Sequence, residues 1–172
     1  MVLVSLCMIM KNEEDELPLV LASAAGLVDE IVIYDTGSAD RSVALARELG
    51  ATVIEGYWDD DFSRARNEAL EYCSGDWILW LDADEAVHGD AVDFRAKLAA
   101  QRTFDCYTVA IESIEGSGLG ARTAFHAARV FRRRSCHWSG PSTNRSCCGT
   151  TAPSPPRPSA QSYEFSIAAT RN

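Results

Sequence analysis

The chain has 172 residues, of which 47% are hydrophobic and 24% are charged, and its formal net charge is −9. This length and composition are typical of one globular domain with a real hydrophobic core. The excess of acidic residues argues against a nucleic acid as partner. Because no run of eighteen apolar residues occurs, no transmembrane segment is expected.

The six cysteines form no Cys-x-x-Cys pair and show no spacing typical of a zinc site. Cys7 and Cys73 lie in apolar periodic segments and are expected to be buried thiols, which fits a reducing compartment. The apolar segment 2–10 lacks a basic leader and a small-residue cleavage site, so it is expected to be a strand rather than a signal peptide. We therefore expect a cytoplasmic protein, either free or peripheral to the inner membrane.

Apolar periodicity predicts alternating strands and helices along the first 133 residues. Helices are predicted after residue 16, after residue 40, over 62–73 and over 90–100. Strands are predicted over residues 2–9, 30–34, 51–55, 77–81, 106–111 and 127–131. Asp61 is placed to cap the third helix, and Ser38 or Asp40 the second. This spacing indicates βαβ units, and hence an α/β fold whose central sheet is mostly parallel and flanked by helices.

The strand predicted over 77–81 ends in an unusually acidic sequence. Five large apolar residues from Trp77 to Leu81 indicate a strand buried on both faces, and Asp82, Asp84 and Glu85 follow closely. In open α/β sheets, ligands bind at the carboxyl ends of the strands. Carboxylate oxygens suit Mg²⁺ or Mn²⁺. Two interpretations fit this stretch alone: a site for a divalent cation that carries a phosphorylated ligand, or a solvated acidic turn.

Right-handed crossovers bring the loops after the first four strands to one edge of the sheet. Asp35 in the second loop can accept a hydrogen bond from a ribose hydroxyl or a base N–H, or can simply belong to a capped turn. Arg64 and Arg66 lie on different faces of a helix, so one can point to the strand ends, where an arginine suits a diphosphate. Salt bridges to the aspartates at 59–61 are the alternative. The polar residues collected at this edge are Lys11, Asn12, Asp35, Asp40, residues 59–61, Asp82 and Asp84.

Four segments, in this order and spacing, resemble one protein family. They are residues 5–14, 28–40, 60–67 and 75–85, which read SLCMIMKNEE, VDEIVIYDTGSAD, DDFSRARN and GDWILWLDADE. Together they closely resemble the family-two inverting glycosyltransferases of the GT-A fold, in the bacterial branch often fused to tetratricopeptide repeats. The resemblance covers roughly residues 3–133 and implies a GT-A type, Rossmann-like domain.

The resemblance also implies an activity: transfer of a sugar from a nucleotide-diphospho-sugar, expected to be a UDP-sugar, to an acceptor hydroxyl with inversion. The acceptor is expected to be a carbohydrate, a lipid-linked molecule or a protein, in cell-wall or polysaccharide biosynthesis. The family's general base lies in the second half of the domain, and no residue here is assigned to it. Lys11 and Asn12 are taken as further ligands of the nucleotide sugar. The residues that match the family's own motifs are Asp35, Arg66 and Asp82 for the nucleotide sugar, and Asp84 for Mg²⁺ or Mn²⁺.

Residues 134–172 differ in composition from the rest of the chain. They hold one acidic residue, four arginines and five of the six prolines, whereas residues 1–133 hold 24 acidic and 12 basic residues. Periodicity vanishes from Ser135, and on composition this tail is expected to be disordered. The first 133 residues are therefore expected to form the N-terminal part of the nucleotide-sugar-binding domain, with an irregular tail over 134–172.

The tail also departs from the family pattern, which continues with tryptophan, glycine and a Val-His-Glu motif. After Trp138 and Gly140, residues 142–147 read STNRSC. Codons for Val-His-Glu-Gln-Val-Leu encode this same hexapeptide when they are read one base out of frame. We therefore expect the chain from about Ser142 to be out of frame; a natural disordered tail is the alternative. The neighbouring reading frame of the DNA distinguishes them.

Two other functions fit part of the pattern. A phosphatase of the haloacid dehalogenase class also places Asp-x-Asp after an apolar strand, but it expects a small residue next, where Glu85 stands, and a more distant lysine than Lys97. A catalytically incomplete nucleotide-binding fragment would keep the donor residues and lack the base. Glu112 and Glu115, after a predicted strand, are weak candidates for that base.

Overall fold

A computed structural model of the chain describes residues 3–88, 90–100, 106–114, 122–139, 146–147 and 163–169. Strands and helices alternate through the first 80 residues, as the apolar periodicity predicts. In chain order the elements are β1 (Val4–Met10), α1 (Leu17–Ala24), β2 (Glu30–Asp35), α2 (Ser42–Glu48), β3 (Thr52–Glu55), α3 (Phe62–Glu71), β4 (Trp77–Trp80), β5 (Glu85–His88), α4 (Ala91–Ala100), β6 (Cys106–Ile114), β7 (Arg122–Arg132), a 3₁₀ turn (Arg133–Ser135), β8 (His137–Trp138), β9 (Ser146–Cys147) and β10 (Tyr163–Ala169).

One sheet organises the described part of the chain, in the order β3-β2-β1-β4-β7-β6-β10-β5. The pairings among β3, β2, β1 and β4 are all parallel, so the carboxyl ends of these four strands lie at the same edge. Strand β7 then pairs antiparallel to β4 and to β6. The α/β architecture with a mostly parallel central sheet is confirmed, and its parallel half presents the predicted polar edge.

Both faces of the parallel half are covered by helices. Leu6 and Leu79 belong to a core cluster with the buried residues of α1 and α4, whereas Cys7 and Ile78 belong to a second cluster with the alanines of α3. The alternation arises because successive side chains of a strand point to opposite faces. Complete burial of a large apolar side chain stabilises the fold by about 1.5–3 kcal/mol. Strands buried on both faces are therefore strongly stabilised, and the loops of the polar edge extend from them.

Helix starts follow the predicted capping chemistry in one case and not in another. Asp61 precedes α3 and its carboxylate accepts a hydrogen bond from the backbone N–H of Arg64, as predicted. The prediction that Ser38 or Asp40 is the N-cap residue of α2 is wrong, because Arg41 directly precedes that helix and its own side chain makes no capping hydrogen bond. The carboxylate of Asp40 instead accepts from the backbone N–H and the hydroxyl of Ser42.

A partly exposed polar cluster joins three strands at the opposite edge of the sheet. The carboxylate of Glu30, at the start of β2, accepts hydrogen bonds from the hydroxyl of Ser5 in β1 and from the backbone N–H of Ser74. It also accepts from the Ser74 hydroxyl at 2.8 Å and from the Gly75 N–H at 3.1 Å. A Cβ at Gly75 would overlap the Ser5 side chain, so only glycine fits this close approach before β4.

The second half of the chain differs from the sequence prediction in several elements. Strand β5 follows the acidic turn directly and was not predicted, and β7 is longer than the predicted 127–131. Within the region to which no structure was assigned, three segments are strands: β8, β9 and β10, of which β10 pairs with both β6 and β5. These strands are held by backbone pairing to neighbours distant in the chain, which periodicity alone does not reveal. Glu115 lies outside the described residues, as does the side chain of Glu112.

None of the helices in the described ranges has the length and apolar character that crossing a bilayer requires.

Candidate functional site

A cavity of about 350 Å³ opens at the carboxyl ends of the parallel strands. The end of β1 forms its floor, and the aromatic side chains of Trp58 and Phe62 form one wall, with ring centroids 4.6 Å apart in an edge-to-face arrangement. The acidic turn after β4 also lines it. The described residues that line it are Ile9, Met10, Lys11, Glu13, Thr36, Trp58, Phe62, Asp82, Ala83 and Asp84.

The loops after β1 and β2 are joined by hydrogen bonds, and Asn12, one of the predicted ligands of the nucleotide sugar, takes part. Asn12 has a φ of 56°, and its side-chain oxygen accepts from the N–H of Ala39 at 2.7 Å. Asparagine is among the few non-glycine residues that tolerate this left-handed conformation. The backbone N–H of Asn12 also donates to the Ser38 hydroxyl at 2.9 Å. This network presents Thr36 and Lys11 to the cavity.

Asp35 is buried and organises the turn after β2. Its Oδ2 accepts from the backbone N–H groups of Gly37 and Ser38, both at 3.0 Å, and its Oδ1 accepts from the Ser38 hydroxyl. Gly37 has a φ of 107°, which only glycine adopts readily. A carboxylate has about four acceptor positions, so about one remains for a ligand. The capped-turn interpretation therefore describes Asp35 here, and its contact with a nucleotide stays a prediction.

Asp82 lies between two arginines. Its Oδ1 is 3.7 Å from Nη2 of Arg66 and its Oδ2 is 3.3 Å from Nη2 of Arg129, while 39% of its side chain stays exposed. Arg129 also donates to Oε1 of Glu85 at 2.5 Å. Burial raises the pKa of the Glu85 carboxyl above its ordinary value, and the adjacent Arg129 counteracts part of that rise. Two carboxylates and two guanidinium groups thus offset one another at the end of β4.

The two arginines of α3 point in different directions, as their spacing predicts. Arg66 is 4% exposed, and its guanidinium lies 4.4 Å from the ring centroid of Trp80. It contacts Asp82 and is not among the described residues that line the cavity. Its predicted contact with a diphosphate therefore stays a prediction. Burial lowers the pKa of its guanidinium, and the Coulombic attraction of Asp82 opposes that change. Arg64 forms a salt bridge with Asp59 at 2.7 Å, which agrees with the alternative to a diphosphate contact, pairing with the aspartates at 59–61.

Asp84 and Glu13 supply the remaining negative charge of the cavity. None of the ion pairs found among the described residues involves Asp84. Burial raises the pKa of Glu13, and the nearby Asp84, Glu16 and Asp40 raise it further. Within the described ranges, no group of three or more histidine, cysteine, aspartate or glutamate side chains is arranged to hold a metal ion by itself.

Sequence reasoning placed Glu85 in the acidic stretch but gave it no role, and it missed Arg129 and Asn67 as parts of this region. Asn67 in α3 bonds to both backbone groups of Trp138, donating to its carbonyl at 2.9 Å and accepting from its N–H at 3.0 Å. Trp138 in turn packs on Trp80, with ring centroids 5.4 Å apart. Nothing in the sequence shows that β7 pairs with β4, and this pairing brings Arg129 to Asp82.

Comparison with known proteins identifies relatives of this chain. The sequence profile of glycosyl transferase family 2 matches residues 5–151. A TPR repeat-containing protein of Synechococcus elongatus is 42% identical over 132 residues, which is 76% of this chain and 32% of that protein. The chain therefore spans about a third of that relative's length.

Two solved structures share the fold at low sequence identity. The crystal structure of Staphylococcus aureus TarS 1–349 has a TM-score of 0.58 and 20% identity, and covers 68% of this chain and 38% of TarS 1–349. Glucosyl-3-phosphoglycerate synthase of Mycobacterium tuberculosis, in complex with Mn²⁺ and UDP-glucose, has a TM-score of 0.52 and 22% identity, and covers 64% of this chain and 44% of the synthase.

Proposed function

Since the chain belongs to glycosyl transferase family 2, we propose that its cavity binds a nucleotide-diphospho-sugar and that the protein transfers the sugar to an acceptor hydroxyl with inversion at the anomeric carbon. The observation that carries the proposal is the division of charge after β4. Asp82 is paired with arginines, whereas Asp84 lines the cavity with no such pair among the described residues.

A UDP-sugar fits the character of the cavity walls. The Trp58 and Phe62 rings offer an apolar surface for a base or sugar, and Thr36 and Lys11 offer polar contacts to hydroxyl and phosphate groups. UDP-glucose is the ligand of the mycobacterial synthase that shares this fold. Asp82, with 39% of its side chain exposed, can accept hydrogen bonds from donor hydroxyl groups.

A divalent cation fits the donor set at Asp84. Mg²⁺ is commonly held by one or two carboxylates together with substrate phosphates, rather than by a cage made only of protein ligands. The absence of a three-residue metal group among the described residues is consistent with that mode. When bound, Mg²⁺ or Mn²⁺ would neutralise the charge that develops on the departing diphosphate.

Inversion requires a single displacement. The acceptor oxygen forms a bond to the anomeric carbon as the bond from that carbon to the diphosphate oxygen breaks, and the diphosphate leaves with the electron pair. A general base takes the proton of the acceptor hydroxyl. No described residue is assigned that role.

Titration calorimetry with UDP tests the donor half of the proposal. We expect the wild-type chain to bind UDP with Mn²⁺ present, and chelation of the metal or the substitution Asp84→Ala to weaken binding at least ~10-fold, about 1.4 kcal/mol. Asp76→Ala is the matched control, because Asp76 is exposed at the opposite end of the same strand, and it should leave the affinity unchanged. Lack of metal-dependent UDP binding by the wild type, or an unchanged affinity in Asp84→Ala, would refute the assignment. Release of UDP from UDP-sugars measures turnover.

A further inference from the structure

Four charged side chains form one connected cluster beside the cavity, which we call the Asp82 cluster: Asp82, Glu85, Arg66 and Arg129. Nη2 of Arg129 lies 2.5 Å from the Glu85 carboxylate and 3.3 Å from the Asp82 carboxylate, so one nitrogen bridges the two acids. The side chains of Glu85 and Arg129 are only 7% and 10% exposed. Asp82 is therefore the one member of this bridge that is substantially exposed, and it lines the cavity.

Glu85 also holds the backbone of the same turn. Its Oε2 accepts from the N–H of Asp82 at 3.2 Å, and its own N–H donates to the Asp82 carbonyl at 3.0 Å. The backbone of Asp82 is thus bound to Glu85, and the carboxylate of Asp82 is bound to the arginine that Glu85 orients. Movement of Glu85 or Arg129 would therefore displace the backbone and the carboxylate of Asp82.

The antiparallel pairing of β7 with β4 brings Arg129 to this place. Trp77 lies opposite Arg132 and Leu79 opposite Val130, so the same register places Arg129 beside Trp80, two residues before Asp82. Strand β7, from the second half of the chain, thereby places the guanidinium group of Arg129 against the turn that follows β4.

We propose that Glu85 and Arg129 are positioning residues that hold the Asp82 carboxylate at the cavity wall, directed to the hydroxyl groups of the nucleotide sugar, those of the ribose in UDP included, and away from the cation at Asp84. The inference rests on the proposed function. Two guanidinium groups offset the charge of Asp82, so Asp84 is left as the carboxylate of the turn that attracts a metal ion. Without them, two adjacent carboxylates would compete for the same cation.

The alternative explanation for the cluster is that it stabilises the fold, and two arguments count against it. Replacing a buried ion pair by apolar residues of similar size is often neutral or stabilising, whereas removing one partner leaves an uncompensated buried charge. Nε of Arg129 is buried and has no hydrogen-bond partner within the described residues, which is an unfavourable arrangement for a purely structural pair. Both partners must therefore be replaced together in a test.

The test is a mutant cycle on the full chain, with UDP and Mn²⁺ as the probe. It compares the wild type, the double variant Glu85→Met/Arg129→Met, the variant Asp82→Asn, and the three substitutions combined. We expect the double variant to fold with a melting temperature near that of the wild type and to bind UDP about tenfold more weakly, within the range measured for coupled neighbours. Asp82→Asn should weaken UDP binding when it is made in the wild type, and should cause little further loss of UDP affinity when it is made in the double variant. The control is Asp29→Asn/Arg95→Met, an ion pair of 2.7 Å at the far edge, which should leave UDP affinity unchanged.

The outcomes separate the two proposals. Failure of the wild type to bind UDP with Mn²⁺ overturns the proposed function, and this inference falls with it. Binding by the wild type, with Asp82→Asn acting equally in both backgrounds, overturns the positioning role alone. An unchanged affinity in the folded double variant overturns it as well.

Discussion

The substitution Glu30→Gln tests how the sheet is held together at the edge away from the cavity. Oε1 of Glu30 accepts from Ser5, from the Ser74 N–H and from the Gly75 N–H, and Oε2 accepts from the Ser74 hydroxyl. Glutamine can place its single oxygen where Oε1 lies, but its NH₂ group cannot accept from Ser74. One bond is lost and three change from charged to neutral acceptors, which we expect to lower the free energy of unfolding by about 2–3 kcal/mol at neutral pH.

The same contacts predict how this loss depends on pH. Burial alone would raise the pKa of Glu30, but the hydrogen bonds from Ser5, Ser74 and Gly75 outweigh it, and the pKa lies below its ordinary value of 4.5. A carboxyl group whose pKa is lower in the folded state stabilises the fold above its unfolded pKa, about 4.3. That contribution is lost as the pH falls through the folded pKa. The difference between wild type and Glu30→Gln should therefore be full at pH 7 and shrink below pH ~4.3.

Urea unfolding at a series of pH values, followed by tryptophan fluorescence, measures the effect. Glu71→Gln, at an exposed position on α3, is the control and should change stability by less than about 0.5 kcal/mol. A Glu30→Gln variant as stable as the control at pH 7, or one whose deficit is the same at pH 3 and pH 7, would contradict the reasoning.

Two further substitutions test contacts near the site. Asn67→Ala removes both hydrogen bonds to the Trp138 backbone, at 2.9 and 3.0 Å, and should lower the free energy of unfolding by about 2 kcal/mol, with a shift in tryptophan emission, in urea unfolding. Gly56→Ala places a Cβ in overlap with the Tyr34 hydroxyl and ring; because Tyr34 is buried, we expect a loss of about 1–3 kcal/mol in the same assay.

Matched controls separate these effects from a general loss of stability. Glu71→Ala changes an exposed position on the same helix as Asn67 and should have little effect. Gly26→Ala adds a Cβ whose nearest neighbour among the described residues is the Cβ of Ala91 at 3.4 Å, an ordinary contact, so it should be tolerated. Equal losses in a test variant and its control would show that the named contact is not the cause.

Much of the parallel half of the fold could be predicted, because its signals are local. Continuous apolar runs such as 77–81 predict strands buried on both faces, and β1 to β4 all appear within one or two residues of their predicted bounds. The right-handed crossover rule then brings Asp35, Asp82 and Asp84 to one edge without any knowledge of tertiary contacts. The α/β fold and the place of the cavity follow from these patterns.

The partners of those residues could not be predicted, because they depend on pairings between distant parts of the chain. Asp35 turned inward to its own turn, and Arg66 was buried on Trp80 rather than extended into the cavity. Arg129 reached Asp82 only because β7 runs antiparallel beside β4. Periodicity shows which face of a strand is apolar, but it carries no information on which strand lies beside it.

The sequence by itself determined the order of strands and helices from β1 to β4, the family motifs and the acidic edge, because these arise from residues close together in the chain. The tertiary structure alone decided the division of charge within that edge. The family resemblance assigned Asp82 to the nucleotide sugar and Asp84 to the metal ion, but nothing in the sequence shows a different charge environment for these two carboxylates. They differ because two guanidinium groups, brought from α3 and β7, lie against Asp82, while no ion pair of the described residues reaches Asp84.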